Sequence, residues 1–325
     1  MKAIRIHRFG AGEDVLEYEE VPEPSPAPGE LLIKIEAAAL NRADLGLRRG
    51  TYRVAAGDLP IIPGREFAGR VEALGAGVAG FEIGARVVAY PGKGGYAEYG
   101  VTQAALARPL PDGIDPAAAA SVPTVCLTAW FALLEDGALK TGEQVLIQAG
   151  SSGVGHVAVQ IANILGAAGV FTTAGGARKC ARLRELGADE AIDYTRSDFR
   201  QEVLKHTSGR GVDVALEMLG GDVYTKSLEV LAAGGRLVSI GGAIGPIPEK
   251  PPELSEGRKA TRFSITNYLN AHPEEFKRLD TFFDIVRQHK LRIVVDRTFP
   301  LAEARAAQRY LEGRDHFGKV VLVMS

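Results

Sequence analysis

Residues 145–155 read Val-Leu-Ile-Gln-Ala-Gly-Ser-Ser-Gly-Val-Gly, an apolar run that ends in a glycine-rich turn and passes directly into residues 156–165. Apolar residues without polar alternation suit a parallel strand buried on both faces. Behind them Val154, Val157, Ala158, Ile161, Ala162 and Leu165 recur at helical spacing. Such a strand, turn and helix can hold a pyrophosphate. The tight turn lets backbone N–H groups approach phosphate oxygens, and the helix N-terminus points the positive end of its dipole at them. Gly150 and Gly155 take the outer positions of the G-x-G-x-x-G pattern and Ser152 stands in the middle one. Gly150, Ser151, Ser152, Gly153, Val154 and Gly155 are thus a degenerate fingerprint. Taken alone it reads equally as a dinucleotide site or as a turn that uses small residues for close packing. The continuation favours the first: 169–173 reads as a second strand, 177–186 as a helix, and 212–217 and 236–240 as further strands. Strands alternating with helices over this length imply a doubly wound parallel sheet, an α/β fold.

At 325 residues and 46% hydrophobic content the chain has room for two domains, each with its own core. A net charge of -2 and the lack of a long Lys/Arg run argue against nucleic acid or an anionic membrane as the main partner. The first residues lack the apolar core of a signal peptide, and no stretch approaches the ~20 apolar residues of a membrane span. The chain is read as a soluble cytoplasmic protein. Two cysteines, Cys126 and Cys180, lie far apart, each within an expected helix, which excludes a disulfide framework or a multi-cysteine metal site.

Before the glycine turn the texture is β-rich. Strands are expected over 3–7, 15–20, 31–37, 66–74, 85–90 and 96–101, separated by proline- and glycine-rich turns. A short polar stretch, 41–52, interrupts them and can form a site. Helices follow over 117–121 and 124–134. After the last strand of the nucleotide-binding half, expected at 261–266, come a helix over 273–289, a strand over 293–299, a helix over 301–311 and a strand over 319–323. This mixed tail breaks the βα rhythm and is expected to return to the first domain. The boundaries are therefore placed at 1–123 with 267–325 for one domain and 124–266 for the other.

The motifs AAALNRAD at 37–44, PGREFAGRVEALG at 63–75, GGYAEY at 94–99, LTAW at 127–130, AGSSGVG at 149–155, ELGADEAIDY at 185–194 and GKVVL at 318–322 occur in family order. In them the chain resembles the medium-chain dehydrogenase/reductase superfamily, specifically the zinc-independent quinone oxidoreductases related to zeta-crystallin. The resemblance implies a GroES-like β-rich catalytic domain with an inserted Rossmann domain, an active-site cleft between them, and commonly a homodimer. Where zinc members place a cysteine this chain has Asn41, and where they place the histidine of a GHE motif it has Gly64-Arg65-Glu66. The four-cysteine lobe of a structural zinc is also missing, so no metal is expected.

Without a Lewis acid nothing holds an alcohol as an alkoxide, so the favoured reaction is hydride delivery to an electron-poor acceptor, a quinone or an enone. Reduction of an enoyl thioester or 2-alkenal is the enzymatic alternative. A noncatalytic NADPH-binding or nucleic-acid-binding role is the alternative of another class. Asn41 is read either as an amide donor to the acceptor or as the cap of the short helix after it. Tyr52 is read either as a proton donor or as a cleft-lining side chain. Asp44 and Glu66 are read as structural, and Arg65 either as facing the substrate or as taking a surface or ion-pair role.

For the cofactor, a NAD-specific domain needs an acid roughly 20 residues beyond the glycine turn. Here the second strand ends in Thr173, Ala174, Gly175 and Gly176, followed by Arg178 and Lys179, a pattern that admits the extra phosphate of NADPH. By resemblance Lys179 and Tyr194 fall at that phosphate, and Thr128 near the nicotinamide. Gly220, Gly241 and Gly242 follow strands at the carboxyl edge of the sheet, where cofactors bind. The expected strand over 261–266 would leave a sheet edge for a second copy to extend.

Overall fold

The computed structural model describes residues 1–324 in two units, Met1–Thr124 together with the chain from Leu269 onward, and Val125–Tyr268. In the first unit β1 (Lys2–Ile6) and β2 (Leu16–Glu20) form a two-stranded antiparallel sheet. Next come β3 (Glu30–Ala39), β4 (Phe67–Leu74), β5 (Arg86–Ala89), β6 (Tyr99–Gln103) and β7 (Ala107–Pro109). β3 and β4 approach so closely that a Cβ on Gly69 would stand 2.1 Å from the Lys34 carbonyl oxygen, which leaves glycine as the residue that fits.

The second unit carries β8 (Gln144–Ile147), β9 (Gly169–Ala174), β10 (Glu190–Asp193), β11 (Val212–Glu217), β12 (Leu231–Ser239) and β13 (Lys259–Arg262). All pair in parallel in the order β10-β9-β8-β11-β12-β13. Counted along the chain this is the 3-2-1-4-5-6 order of a Rossmann sheet, whose switch point lies between β8 and β11. Val145, Leu146 and Ile147 of β8 are shut off from solvent, as an apolar run covered on both faces requires. Behind them the helix Gly153–Ile164 buries Val157, Ala158, Ile161 and Ala162.

The chain then returns to the first unit with β14 (Val295–Pro300) and β15 (Lys319–Val323). They complete a seven-stranded sheet ordered β14-β15-β3-β4-β5-β7, with β6 also on β3. Between them the helix Ala304–Gly313 buries Ala304, Ala307, Gln308 and Leu311, one face at helical spacing. The expected α/β architecture of a β-rich unit and a parallel-sheet unit is borne out.

The elements differ from expectation in several places. The strand expected over 261–266 ends at Arg262, and Ile265–Ala271 is a helix. Its β-branched residues suggest a strand, but Ile265 and Leu269, four residues apart, are the buried positions, and that period is helical. The helix expected over 273–289 opens as a 3-10 turn, Pro273–Lys277, before the α-helix Arg278–Arg287. β7 and β10 are strands beyond those expected, and Phe199–His206 and Gly221–Glu229 are helices beyond them. Among the described residues no helix is long and apolar enough to cross a membrane.

Candidate active site

At the switch point of the parallel sheet, Ala149 takes a positive φ of 50° and starts the glycine turn. A Cβ on Gly150 would meet Thr172 Oγ1 at 2.1 Å, and one on Gly155 would meet the Ala149 carbonyl oxygen at 2.2 Å. Both outer glycines are thus set by close packing of strand, turn and helix. Ser152 has φ -75°, an ordinary value, and its Oγ accepts from the Gly155 N–H at 3.0 Å. The middle position tolerates serine because the side chain caps the helix. Ser151, Ser152, Gly153 and Val154 stay partly exposed at the helix N-terminus, as a phosphate-binding turn must.

Thr173 supports this turn from within. Its hydroxyl accepts from the Ala149 N–H at 3.1 Å and donates to Gln148 Oε1 at 2.6 Å, and Gln148 Nε2 donates to Ser227 Oγ at 3.0 Å. That hydroxyl is therefore committed to the protein. At the end of β9 a Cβ on Gly175 would stand 2.8 Å from the Tyr194 hydroxyl, and Tyr194 is 55% exposed. Lys179 lies in the first turn of the helix Ala177–Glu185.

Sequence reasoning missed the acid beside this corner, because it arrives from β10, in register with Ala174. Asp193 Oδ1 accepts from the Thr195 hydroxyl at 2.7 Å and the Gly176 N–H at 2.9 Å, and these bonds hold its carboxyl below the usual range. At the end of β11 the buried Glu217 carboxylate accepts from the Leu219 and Gly220 N–H groups and from the Ser239 hydroxyl. It fixes the turn that carries Gly220, while burial pushes its pKa up. A Cβ on Gly242 would meet the Gly245 carbonyl oxygen at 2.4 Å; Gly241 is less confined. Thr128 is 6% exposed within the helix Val122–Phe131. His156 is fully buried, a packing residue whose ring bonds to the Ser152 carbonyl oxygen at 3.0 Å.

In the β-rich unit, Asn41 precedes the helix Arg42–Arg48 and is 9% exposed. Its Nδ2 donates to Glu66 Oε1 at 2.8 Å and to the Ala39 carbonyl at 3.3 Å, and its Oδ1 accepts from Lys319 Nζ at 2.8 Å. Lys319 also donates to the Leu40 carbonyl at 2.9 Å and to Glu66 Oε1 at 3.0 Å. The second Glu66 oxygen accepts from the Thr124 N–H at 2.6 Å. Asp44 reaches back to accept from the Asn41 N–H at 2.8 Å and takes the Tyr96 hydroxyl at 3.0 Å. Burial raises its carboxyl to about 6, and Oδ1 is left without a partner among the described residues. In the sequence Lys319 stands out only as part of a motif. Nothing local marks it, since its partners Leu40, Asn41 and Glu66 come from segments distant in sequence.

Tyr52 lies against the same helix: a Cβ on Gly46 would stand 2.8 Å from Tyr52 Cβ, so glycine there admits the returning loop. The Arg65 guanidinium is 5.3 Å from the Tyr52 ring and 5.4 Å from that of Tyr90, and donates to the Tyr90 hydroxyl at 2.5 Å. At 4% exposure Arg65 belongs to an aromatic stack rather than to the surface.

Two family models match the chain, an alcohol dehydrogenase GroES-like domain over residues 27–112 and a zinc-binding dehydrogenase over residues 186–322. The side chains around Asn41 do not fit a zinc ion. The set is an amide and a carboxylate already held by an ammonium, with no converging thiolate or imidazole among the described residues. The described residues group metal-compatible side chains at His7, Glu17 and Glu19, where Arg5 already lies 3.0 Å from Glu19.

The quinone oxidoreductase of Pseudomonas aeruginosa is 34% identical over 327 residues, 99% of each chain. The crystal structure of the Escherichia coli quinone oxidoreductase complexed with NADPH matches with a TM-score of 0.92 at 29% identity, over 99% of this chain and 100% of that one. The CurK enoyl reductase matches with a TM-score of 0.88 at 29% identity, over 100% of this chain and 99% of that one. Other relatives are far longer. The mycocerosic acid synthase-like polyketide synthase of Mycobacterium tuberculosis is 32% identical over 94% of this chain, which spans 15% of that protein. Matched over its whole length by a quinone oxidoreductase and carrying that family's two folds in the same order, the chain belongs to the quinone oxidoreductase branch of the medium-chain dehydrogenase/reductase superfamily.

Proposed function

We propose that this chain is an NADPH-dependent reductase that passes hydride to a quinone or a similar electron-poor acceptor, without zinc. The observation that carries this reading is the partly exposed, Ser152-capped glycine turn at the switch point of a 3-2-1-4-5-6 sheet, in a chain that matches a quinone oxidoreductase from end to end. NADPH, when bound, would supply the hydride. In this reading the turn Gly150–Gly155 takes the pyrophosphate, Lys179 and Tyr194 the ribose phosphate, and Thr128, Gly220, Gly241 and Gly242 the nicotinamide end. Negative charge develops on the acceptor's oxygen, so a donor placed there lowers the barrier more than it tightens binding. Asn41 is that donor, because its bond to the Ala39 carbonyl, at 3.3 Å, is the weak one and can be exchanged. Tyr52 supplies a proton to acceptors that need one.

The CurK likeness and the polyketide synthase relatives favour one second reading, reduction of an enoyl thioester. NADPH oxidation assayed across quinones, enals, enones and enoyl thioesters separates the two, with an alcohol plus NADP as the reverse control. NADPH binding without turnover of any acceptor would instead support a noncatalytic role. Undiminished rates after dialysis against a chelator are expected.

The assembly proposed is a homodimer. β13 is the outermost strand of its sheet, and its outer backbone edge is one that a second copy can extend. A monomeric mass by light scattering at micromolar concentration contradicts it.

A further inference from the structure

Nothing in the reaction requires Lys319, yet its buried ammonium is fully engaged by the protein. Its side chain is 2% exposed and that of Glu66 is fully buried. An ammonium has three protons, and Lys319 Nζ meets three oxygens, those of Leu40, Asn41 and Glu66. A buried pair of this kind is weak evidence for stability, because desolvation offsets the attraction, but it fixes geometry. Here the geometry is that of an amide. Lys319 holds Asn41 Oδ1, Glu66 Oε1 holds Asn41 Nδ2, and Lys319 and Glu66 hold each other. Turning the Asn41 carboxamide over would set its NH2 against an ammonium and its carbonyl against a carboxylate, two repulsions in place of two bonds. Only one orientation survives, with the second Nδ2 proton on the long bond to Ala39.

We infer that Lys319, through its ion pair with Glu66, is a positioning residue that locks the Asn41 carboxamide so that its second N–H is presented to the acceptor's oxygen. The inference rests on the proposed contact between Asn41 and the acceptor.

The test is a double-mutant cycle on the full chain, reading kcat and KM for a quinone and Kd for NADPH. Lys319→Met alone strands a buried carboxylate and risks misfolding, so Glu66→Gln/Lys319→Met, which removes both charges, is paired with Asn41→Ala and with the triple variant. Expected is a loss in kcat of about tenfold or more for Asn41→Ala and a similar loss for the charge-free pair. The triple variant falls no further than Asn41→Ala, and NADPH affinity is unchanged throughout. Lys319→Arg, which keeps the charge, should retain more kcat than the charge-free pair. If Asn41→Ala is impaired while the charge-free pair turns over like wild type, or if the losses multiply, the positioning inference is overturned and the acceptor contact stands. If Asn41→Ala keeps full activity, the acceptor contact falls and this inference with it. Should the charge-free pair not fold, Glu66→Gln alone decides, since it removes the ion pair: a loss in kcat that Asn41→Ala does not deepen supports the lock, and wild-type kcat or losses that multiply overturn it.

Discussion

The Tyr96 hydroxyl donates to the Asp44 carboxylate at 3.0 Å with both side chains fully buried, and the same Asp44 oxygen receives the Asn41 N–H. Burial outweighs these bonds and raises the carboxyl from its ordinary 3.8 to about 6. The folded state therefore binds more protons than the unfolded chain between roughly pH 4 and 6. The contribution of Asp44 to stability is fully present below that window and lost as pH rises through 6, a change of about 3 kcal/mol. Asp44→Asn keeps an acceptor oxygen for Asn41 and Tyr96 but cannot ionise. Denaturant unfolding of both proteins at pH 4.5 and 7.5 should show the variant gaining relative to wild type at the higher pH. Parallel pH profiles would mean that Asp44 titrates normally.

Replacing Tyr52 by Phe keeps the ring beside the Arg65 guanidinium, 5.3 Å away, and removes the hydroxyl. Enone reduction needs a proton at carbon as well as hydride, whereas a reduced quinone takes its protons from water. Tyr52→Phe should therefore cost about 100-fold on enones and leave quinones nearly untouched. Equal losses on both classes would assign Tyr52 to shaping the site.

The extra phosphate of NADPH should depend on Lys179. Removing one charge-assisted contact to a phosphate weakens binding by about tenfold or more. Lys179→Ala is expected to lower NADPH affinity by that amount and to leave NADH affinity alone, as read by fluorescence titration. An unchanged ratio of the two affinities counts against this reading.

Gly155→Ala should cost stability and cofactor together. The added methyl would meet a backbone oxygen at 2.2 Å, and a carbonyl in a tight turn cannot swing aside as a side chain can. A loss of about 1–3 kcal/mol is expected. Thermal unfolding with and without NADPH should show a lower Tm and a smaller ligand-induced rise. A wild-type Tm would show that the turn has more room than its geometry indicates.

The parallel sheet was legible because its signals are local: an uninterrupted apolar run at β8, a glycine turn, then helical spacing, all within about twenty residues. The strand expected over 261–266 failed for a related reason. β-branched residues near a strand end read the same in either state until the burial of Ile265 and Leu269 selects the helix. In the site, Asn41 and Tyr52 were visible in a polar stretch between strands, but their partners were not. Lys319 joins Asn41 from 278 positions away, and Asp193 reaches Gly176 across a strand boundary. Such pairings follow from strand order, which no short window of sequence contains.

The β-rich unit is written in two segments, and the later one completes the earlier. β15 pairs with β3, and Lys319 meets a glutamate 253 positions before it. During synthesis the carboxylate of Glu66 leaves the ribosome long before Lys319 can reach it. The early half cannot complete its sheet until β14 and β15 are made, after residues Val125–Tyr268, a continuous segment with its own six-stranded sheet. The unit that starts first is completed only when the strand that carries Lys319 has been made and can pair with β3.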